Sequence, residues 1–295
     1  MGKRKQLKDD DVEMANTTGA LGENDDSSSD EVEMGIVNVD FEWFDPQPAV
    51  DFHGLRNLLR QLLDNDAQLF DLSALTDLIL SQPLLGSTVK VDGNEGDPFA
   101  FLTVLNLQQH KDVPVIQDLT SYLQRKSSSS SLLSHLDNLL SQQSVPAIGL
   151  ILTERLINIP AEVVSPMYTM LLEEIAWALE ENEPYNFTHY LILSRTYEEV
   201  KSKLDEEDRP QKKKKKAAEE RNDIFYFHAE DELLQKHALC YGGYQYSRQQ
   251  EEGASDSKRA FHDHGVRPKG HLILIEAARF EAAVTDLKEY LNPSS

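Results

Sequence analysis

The chain has 295 residues, 40% of them apolar, and carries 51 Asp and Glu against 29 Lys and Arg, a formal net charge of -22. Such a charge repels nucleic acid, phosphate ligands and anionic membranes, so the partner it attracts is a cation, most simply a basic protein surface. A single cysteine, Cys240, excludes an intramolecular disulfide and suits a reducing compartment, and no run approaches the roughly 18 consecutive apolar residues of a membrane span.

The first eight residues are charged and lead into acids, so no secretory signal is expected. Between Asp9 and Glu33 stand ten acids, no base and almost no large apolar residue. Residues 1–33 cannot bury enough surface to offset ordering entropy and are expected to form a disordered acidic tail. Within it, Ser27, Ser28 and Ser29 precede Asp30, Glu31 and Glu33, the context that acid-directed serine kinases prefer. Phosphates there would deepen the negative charge; an unmodified tail is the alternative.

The fold is expected to span residues 34–295. Val37, Val39, Phe41 and Trp43 alternate with polar residues and predict a strand, which Asp45, Pro46 and Pro48 stop. Phe52, Leu55, Leu59 and Leu62 then recur at helical spacing with Arg56, Arg60 and Asp64 opposite them. A short helix follows over 72–80 and a strand over 87–91. The nearly continuous apolar run 99–107 suits a central strand covered on both faces. Helical patterns at 115–124 and 132–140 flank the serine run 127–131, which reads as a loop.

A buried strand is expected over 145–152. Ile159 and Pro160 lead into a long helix whose inner stripe is Val164, Tyr168, Leu171, Ile175 and Leu179, with Glu173, Glu174, Glu180 and Glu181 mostly outside. Strand alternation returns over 187–200, and residues 201–222 form a charged, apolar-poor linker. Beyond it lie a short strand at 224–227, helical turns at 229–236, a strand at 238–246 broken by Gly242 and Gly243, a polar loop at 249–260, a last buried strand at 271–275 and a closing helix at 277–291. That helix shares Phe280, Ala283, Leu287 and Tyr290 on one face. Strands and helices mix without repeats, which predicts a single α/β domain with a mixed sheet flanked by helices.

Enzyme-like features are few. His262 and His264, one residue apart, with His271 further on, could chelate a metal, but four suitable ligands are not in evidence and no metal is expected. Cys240 follows His237 by three residues, yet its neighbours Ala238, Leu239 and Tyr241 make it a buried hydrophobe. Gly242 and Gly243 lack the rest of a phosphate loop and read as a bulge or tight bend. Glu230, Asp231 and Glu232 could pair as acid and base, but more simply cap the first turn of a helix. No catalytic or cofactor-binding residue and no cofactor is expected.

Lys212, Lys213, Lys214, Lys215 and Lys216 form one unbroken run flanked by acids, with Lys3, Arg4 and Lys5 as a second basic cluster. On an exposed linker such a run suits recognition by a nuclear transport receptor, whereas the surrounding field has the wrong sign for nucleic acid. A solvated, acid-neutralised linker is the alternative.

The phrases DIFYFHAEDELLQKHALCYGGYQYSRQQ at 223–250, RPKGHLILIE at 267–276 and FEWFDPQPAVDFHGLRNLLRQLL at 41–63 resemble the BCCIP family. These eukaryotic proteins are described as binding a cyclin-dependent kinase inhibitor and a breast-cancer susceptibility protein. The resemblance covers nearly everything after Met34. It implies a fold similar to the GCN5-related N-acetyltransferases without established enzyme activity. It also implies a nuclear protein shuttling to the cytoplasm, acting in large ribosomal subunit biogenesis as escort of a ribosomal protein, and in nuclear protein export. Acetyltransferases of that fold hold the coenzyme A pyrophosphate on an Arg/Gln-x-x-Gly-x-Gly/Ala turn at a helix start; this sequence has none. The expected function is therefore a non-enzymatic acidic escort for a basic client. The alternatives are an acetyltransferase-like enzyme and an adaptor in cell-cycle and DNA-repair complexes.

Overall fold

A computed structural model describes residues 40–82, 85–91, 93–140, 147–199, 224–248 and 266–292. The chain divides into two units, Met1–Asn38 and Val39–Ser295; the first lies outside the described residues, as do residues 200–223 and 249–265. The second unit is a mixed α/β domain with an eight-stranded sheet and helices on both faces.

The described residues begin at the sheet edge with β1 (Phe41–Phe44), and Pro48, which fits the first turn where its missing N–H costs nothing, opens α1 (Pro48–Leu63). Asp71 caps α2 (Leu72–Leu80) by accepting from the Ser73 and Ala74 N–H groups at 3.1 and 3.0 Å. There follow β2 (Ser87–Val91), β3 (Ala100–Asn106), α3 (Pro114–Ser128), α4 (Ser134–Leu140) and β4 (Ile148–Arg155). A 3-10 turn at Ala161–Val163 leads into α5 (Val164–Glu180), and α5 returns the chain to β5 (His189–Glu199). The rest is β6 (Ile224–Tyr226), α6 (Glu230–Leu234), β7 (Cys240–Tyr244), β8 (Val266–Glu276) and α7 (Ala277–Leu291).

The strand order is β1-β2-β3-β4-β5-β8-β7, with β6 paired to β5 off that path. One pair, β4 with β5, is parallel and the others are antiparallel. Period-two alternation sorts the strand residues between two cores. Phe101, Leu105, Leu150, Leu152, Leu191, Leu193, Leu272 and Leu274 pack under α1 to α4. Leu102, Val104, Ile151, Ile192, Ile273 and Ile275 pack under α5 and α7. Because both faces are covered, the central strands are apolar along their length instead of alternating with polar residues.

Four local readings are corrected. The serine run is not a separate loop: α3 continues to Ser128, and Ser127 is fully buried with its hydroxyl donating to the Gln124 carbonyl at 3.0 Å. Gly242 and Gly243 form no bulge, because the β7–β8 ladder runs without interruption from Cys240↔Leu274 to Tyr244↔Gly270. Gly242 is instead a point of close approach, where an added Cβ would meet Leu132 and Leu133 at 3.4 Å. On α5, Leu179 is exposed and Ala178 is buried, while Glu174 turns inward and accepts the Gly86 N–H at 2.8 Å. On α7, Tyr290 is exposed and Leu291 packs on the core in its place.

Candidate functional site: a fork between the parallel strands

The parallel ladder joins Ile148↔His189 to Leu152↔Leu193 and stops there, although β4 runs on to Arg155 and β5 to Glu199. Each strand keeps its other neighbour: β3 follows β4 as far as Arg155, and β8 follows β5 as far as Glu199. The two strands therefore diverge into a fork. The chain itself returns to fill it. β6 pairs with the freed edge of β5 at Thr196, Tyr197 and Glu198, and residues 227–231 then pass between Thr153–Arg155 on one side and Ser194–Arg195 on the other.

What fills the fork is a buried ionic network. The Glu154 carboxylate receives Arg195 Nε at 2.8 Å and lies 2.9 Å from His228 Nε2. Arg155 makes a two-pronged pair with Glu230, one prong at 3.1 Å, and the Ser194 hydroxyl donates to Asp231. The Arg195 guanidinium lies over the Phe227 ring at 4.5 Å, and Gln61 of α1 donates to the Arg155 carbonyl at 2.8 Å. All six charged groups are nearly solvent-free. Three acids face three bases, so the network is neutral when every member is ionised, as burial of charge demands.

Their proton affinities follow from this wiring. Burial alone would raise Glu154, but His228 and Arg195 outweigh it and hold the carboxyl down at about 2. Burial opposes the His228 charge, yet Glu154 above all keeps its pKa above the ordinary imidazole value. Burial pushes Asp231 up to about 7, with Glu230 adding and His228, Ser194 and Arg155 resisting. Asp231 is thus a carboxyl that is largely protonated in mildly acidic solution.

Outside the network, a cleft of about 600 Å³ opens between the end of α1 and the fork. Arg60 and Asp64 line it from α1, Arg155 and Ile157 from the end of β4, and Val266 and Pro268 from the start of β8. The neighbouring Ser194, His228 and Asp231 have the residue types of a hydrolase triad without its connections. Ser194 donates to the acid and not to the imidazole, His228 is engaged by Glu154, and Ser194 is 1% exposed. The hydroxyl proton therefore faces the Asp231 carboxylate and not an imidazole, in a position closed to solvent.

The candidates read from the sequence fall elsewhere. Cys240 is buried, and burial raises its thiol pKa, which leaves it unreactive at neutral pH. His237 pairs with Asp286 at 2.8 Å. His271 is sealed between Tyr226 and Tyr241, with ring centroids at 5.7 and 6.2 Å, and burial pushes it down to about 4. His262 and His264 lie outside the described residues, and among the described residues no group of three or more His, Cys, Asp or Glu is arranged to hold a metal. Lys212 to Lys216, Lys3, Arg4, Lys5, Ser27, Ser28 and Ser29 also lie outside them. Glu230 and Asp231 do start a helix, as expected, but their carboxylates serve Arg155 and Ser194 and not the helix end.

Sequence reasoning missed Glu154, Arg155 and Arg195. The signal was available: charged residues directly continue the apolar strands IGLILTER and LILSR, where a strand leaving the protein would turn polar through loop residues.

A family model described as BCCIP matches residues 36–234. The Protein bcp1 of Aspergillus fumigatus is 68% identical over 294 residues, which is 99% of this chain and 99% of that protein. The Protein bcp1 of Schizosaccharomyces pombe is 50% identical over 274 residues, 90% of this chain and 96% of its own length. Among solved structures, a crystal structure of BCP1 from Saccharomyces cerevisiae matches with a TM-score of 0.60 at 28% identity, over 90% of this chain and 94% of that one.

Proposed function

The chain belongs to the BCCIP family, and from that premise we propose that it is a non-enzymatic acidic escort. Its client is a basic protein, a large-subunit ribosomal protein in particular, and its setting is ribosome biogenesis and nuclear protein export, shuttling between nucleus and cytoplasm. The observation that carries this reading is where the charge resides. The buried pairs Lys90–Asp51, Arg155–Glu230 and Arg195–Glu154 cancel one for one. The excess of -22 therefore belongs to the remaining residues, and of their acids only Asp66, Glu174 and Asp231 are buried among the described residues.

A surface so charged accelerates encounter with a cationic protein and keeps it soluble, and the attraction is screened by salt. The filled fork supports the non-enzymatic half of the proposal, because the polar groups gathered there satisfy one another. The test is affinity capture from cell extract with the full-length protein at about 0.05 M and about 0.5 M salt, where the Debye length falls from roughly 14 to 4 Å. The expected result is a basic ribosomal protein retained at low salt and at least tenfold depleted at high salt. Capture of acidic or neutral proteins alone, insensitive to salt, would reject the escort.

A further inference from the structure

The longest stretch without a base in the described domain runs from residue 156 to residue 188. It contains six acids, Glu162, Glu173, Glu174, Glu180, Glu181 and Glu183, and no Lys, Arg or His. This stretch includes all of α5, which buries Tyr168, Leu171, Ile175 and Ala178 against the sheet and turns its other side to solvent. In the last turn of the solvent side stands Trp177, 58% exposed.

Helical spacing places Glu173 four residues before Trp177, Glu180 three after and Glu181 four after, so all three carboxylates neighbour the indole on one surface. None of the three forms an ion pair with a described residue. The adjoining Glu174 shows the strength of the local field. Burial raises its pKa first, the Gly86 N–H lowers it, and the carboxylates of Asp45 and Glu173 push it up again. Acids here repel one another with no cation among the described residues paired to them. An exposed tryptophan is costly to leave in water, and its ring face is the best aromatic acceptor for a cation.

We propose that the outer face of α5, centred on Trp177, is the docking surface for an arginine-rich segment of the client. This rests on the escort reading above and assigns it a place. A guanidinium stacks flat on the indole while its edge donates to Glu173, Glu180 or Glu181, an arrangement that the compact, strongly hydrated lysine ammonium cannot reproduce. The face thus prefers arginine to lysine, a preference that net charge alone does not give. The acids supply attraction and the ring supplies selection.

The experiment titrates full-length protein with a fluorescein-labelled nona-arginine peptide and its nona-lysine counterpart at low salt, read by anisotropy. The wild type is expected to bind nona-arginine more tightly than nona-lysine. Trp177→Ala is expected to weaken nona-arginine binding about tenfold and to abolish the preference, in line with a desolvated cation–π contact, while Trp177→Phe recovers part of both. A Glu173→Gln, Glu180→Gln, Glu181→Gln triple variant is expected to weaken both peptides. The same number of neutralised acids on α7 (Glu281→Gln, Asp286→Asn, Glu289→Gln) is expected to change binding less than twofold.

Nona-arginine binding by Trp177→Ala within twofold of the wild type would overturn the docking surface and leave the escort reading standing. No binding of either peptide by the wild type would sink the escort reading itself. If Trp177 serves instead to join two copies of the chain, Trp177→Ala shifts the sedimentation coefficient to that of a smaller species with peptide binding intact, which also overturns the proposal.

Discussion

His271 shows how a single side chain turns from a candidate ligand into a liability of the fold. It sits at the centre of β8, opposite Ser194 and Gly243, with neither ring nitrogen hydrogen-bonded. Burial lowers its pKa from 6.5 to about 4. A group whose imidazole is harder to protonate when folded leaves stability intact above its unfolded pKa and removes it as pH falls toward the folded value. Between pH 6.5 and 4 the loss should reach about 3 kcal/mol. Urea unfolding of the wild type and of His271→Phe at neutral pH and near pH 4.5 checks this. The variant should lose distinctly less stability on acidification, and an identical loss in both would remove His271 as the cause. Next to it, Gly270 lies under the Tyr244 ring, with no space for a Cβ. The sequence RPKGHLILIE displayed that glycine without showing why β8 needs it.

Elements were legible where one periodicity acted alone. α2 and β2 fall on the residues their patterns indicated, since Asp71 caps the one and Gly86, at φ 112°, precedes the other. β4 and β5 were seen as buried strands, but neither pattern can report that their shared ladder ends at Leu152 and Leu193. The fork depends on β6, which begins 69 residues after β4 ends, and side chains that meet only in three dimensions leave no periodic trace. The same blindness hid the pair Lys90–Asp51, both fully buried, with Lys90 Nζ 2.6 Å from Asp51 and also donating to the Asn94 carbonyl at 2.8 Å. Asp51 additionally accepts the Gln47 N–H at 2.7 Å and so fixes the start of α1. Asp51→Ala should cost about 3–5 kcal/mol, the penalty of stranding a buried ammonium. Chemical denaturation of Asp51→Ala beside Asp51→Leu, Lys90→Met separates the contributions. The double variant should regain most of the loss, and equal instability in both would show that the cap and not the stranded charge dominates.

For the whole molecule, the charge excess was legible at once, whereas the docking face was not. Trp177 stands outside the inner stripe read from the sequence for this helix, but its exposure beside acids unpaired among the described residues emerges only in the structure. The lysine run Lys212–Lys216 lies outside the described residues, so its role is argued from charge alone. Replacing all five lysines by alanine should leave thermal unfolding unchanged and reduce nuclear accumulation of a fluorescent fusion, which imaging measures directly. Undiminished accumulation, also after replacing Lys3, Arg4 and Lys5, would assign the run to the solvated linker.

The position of β8 between β5 and β7 sets the order in which this protein can come into being. Residues emerge during synthesis from the N-terminus onward, yet the strand that joins β5 to β7 and the helix that covers it, α7, occupy residues 266–291, after every other described element. Until they emerge, β5 lacks its longest partner, and Ile192, Tyr190 and Tyr168 lack Ile273, Ile275 and Phe280 above them. The growing chain therefore carries an open apolar sheet until β8 and α7 have followed the other elements out. A protein proposed to shelter others thus passes through a period in which it depends on shelter itself.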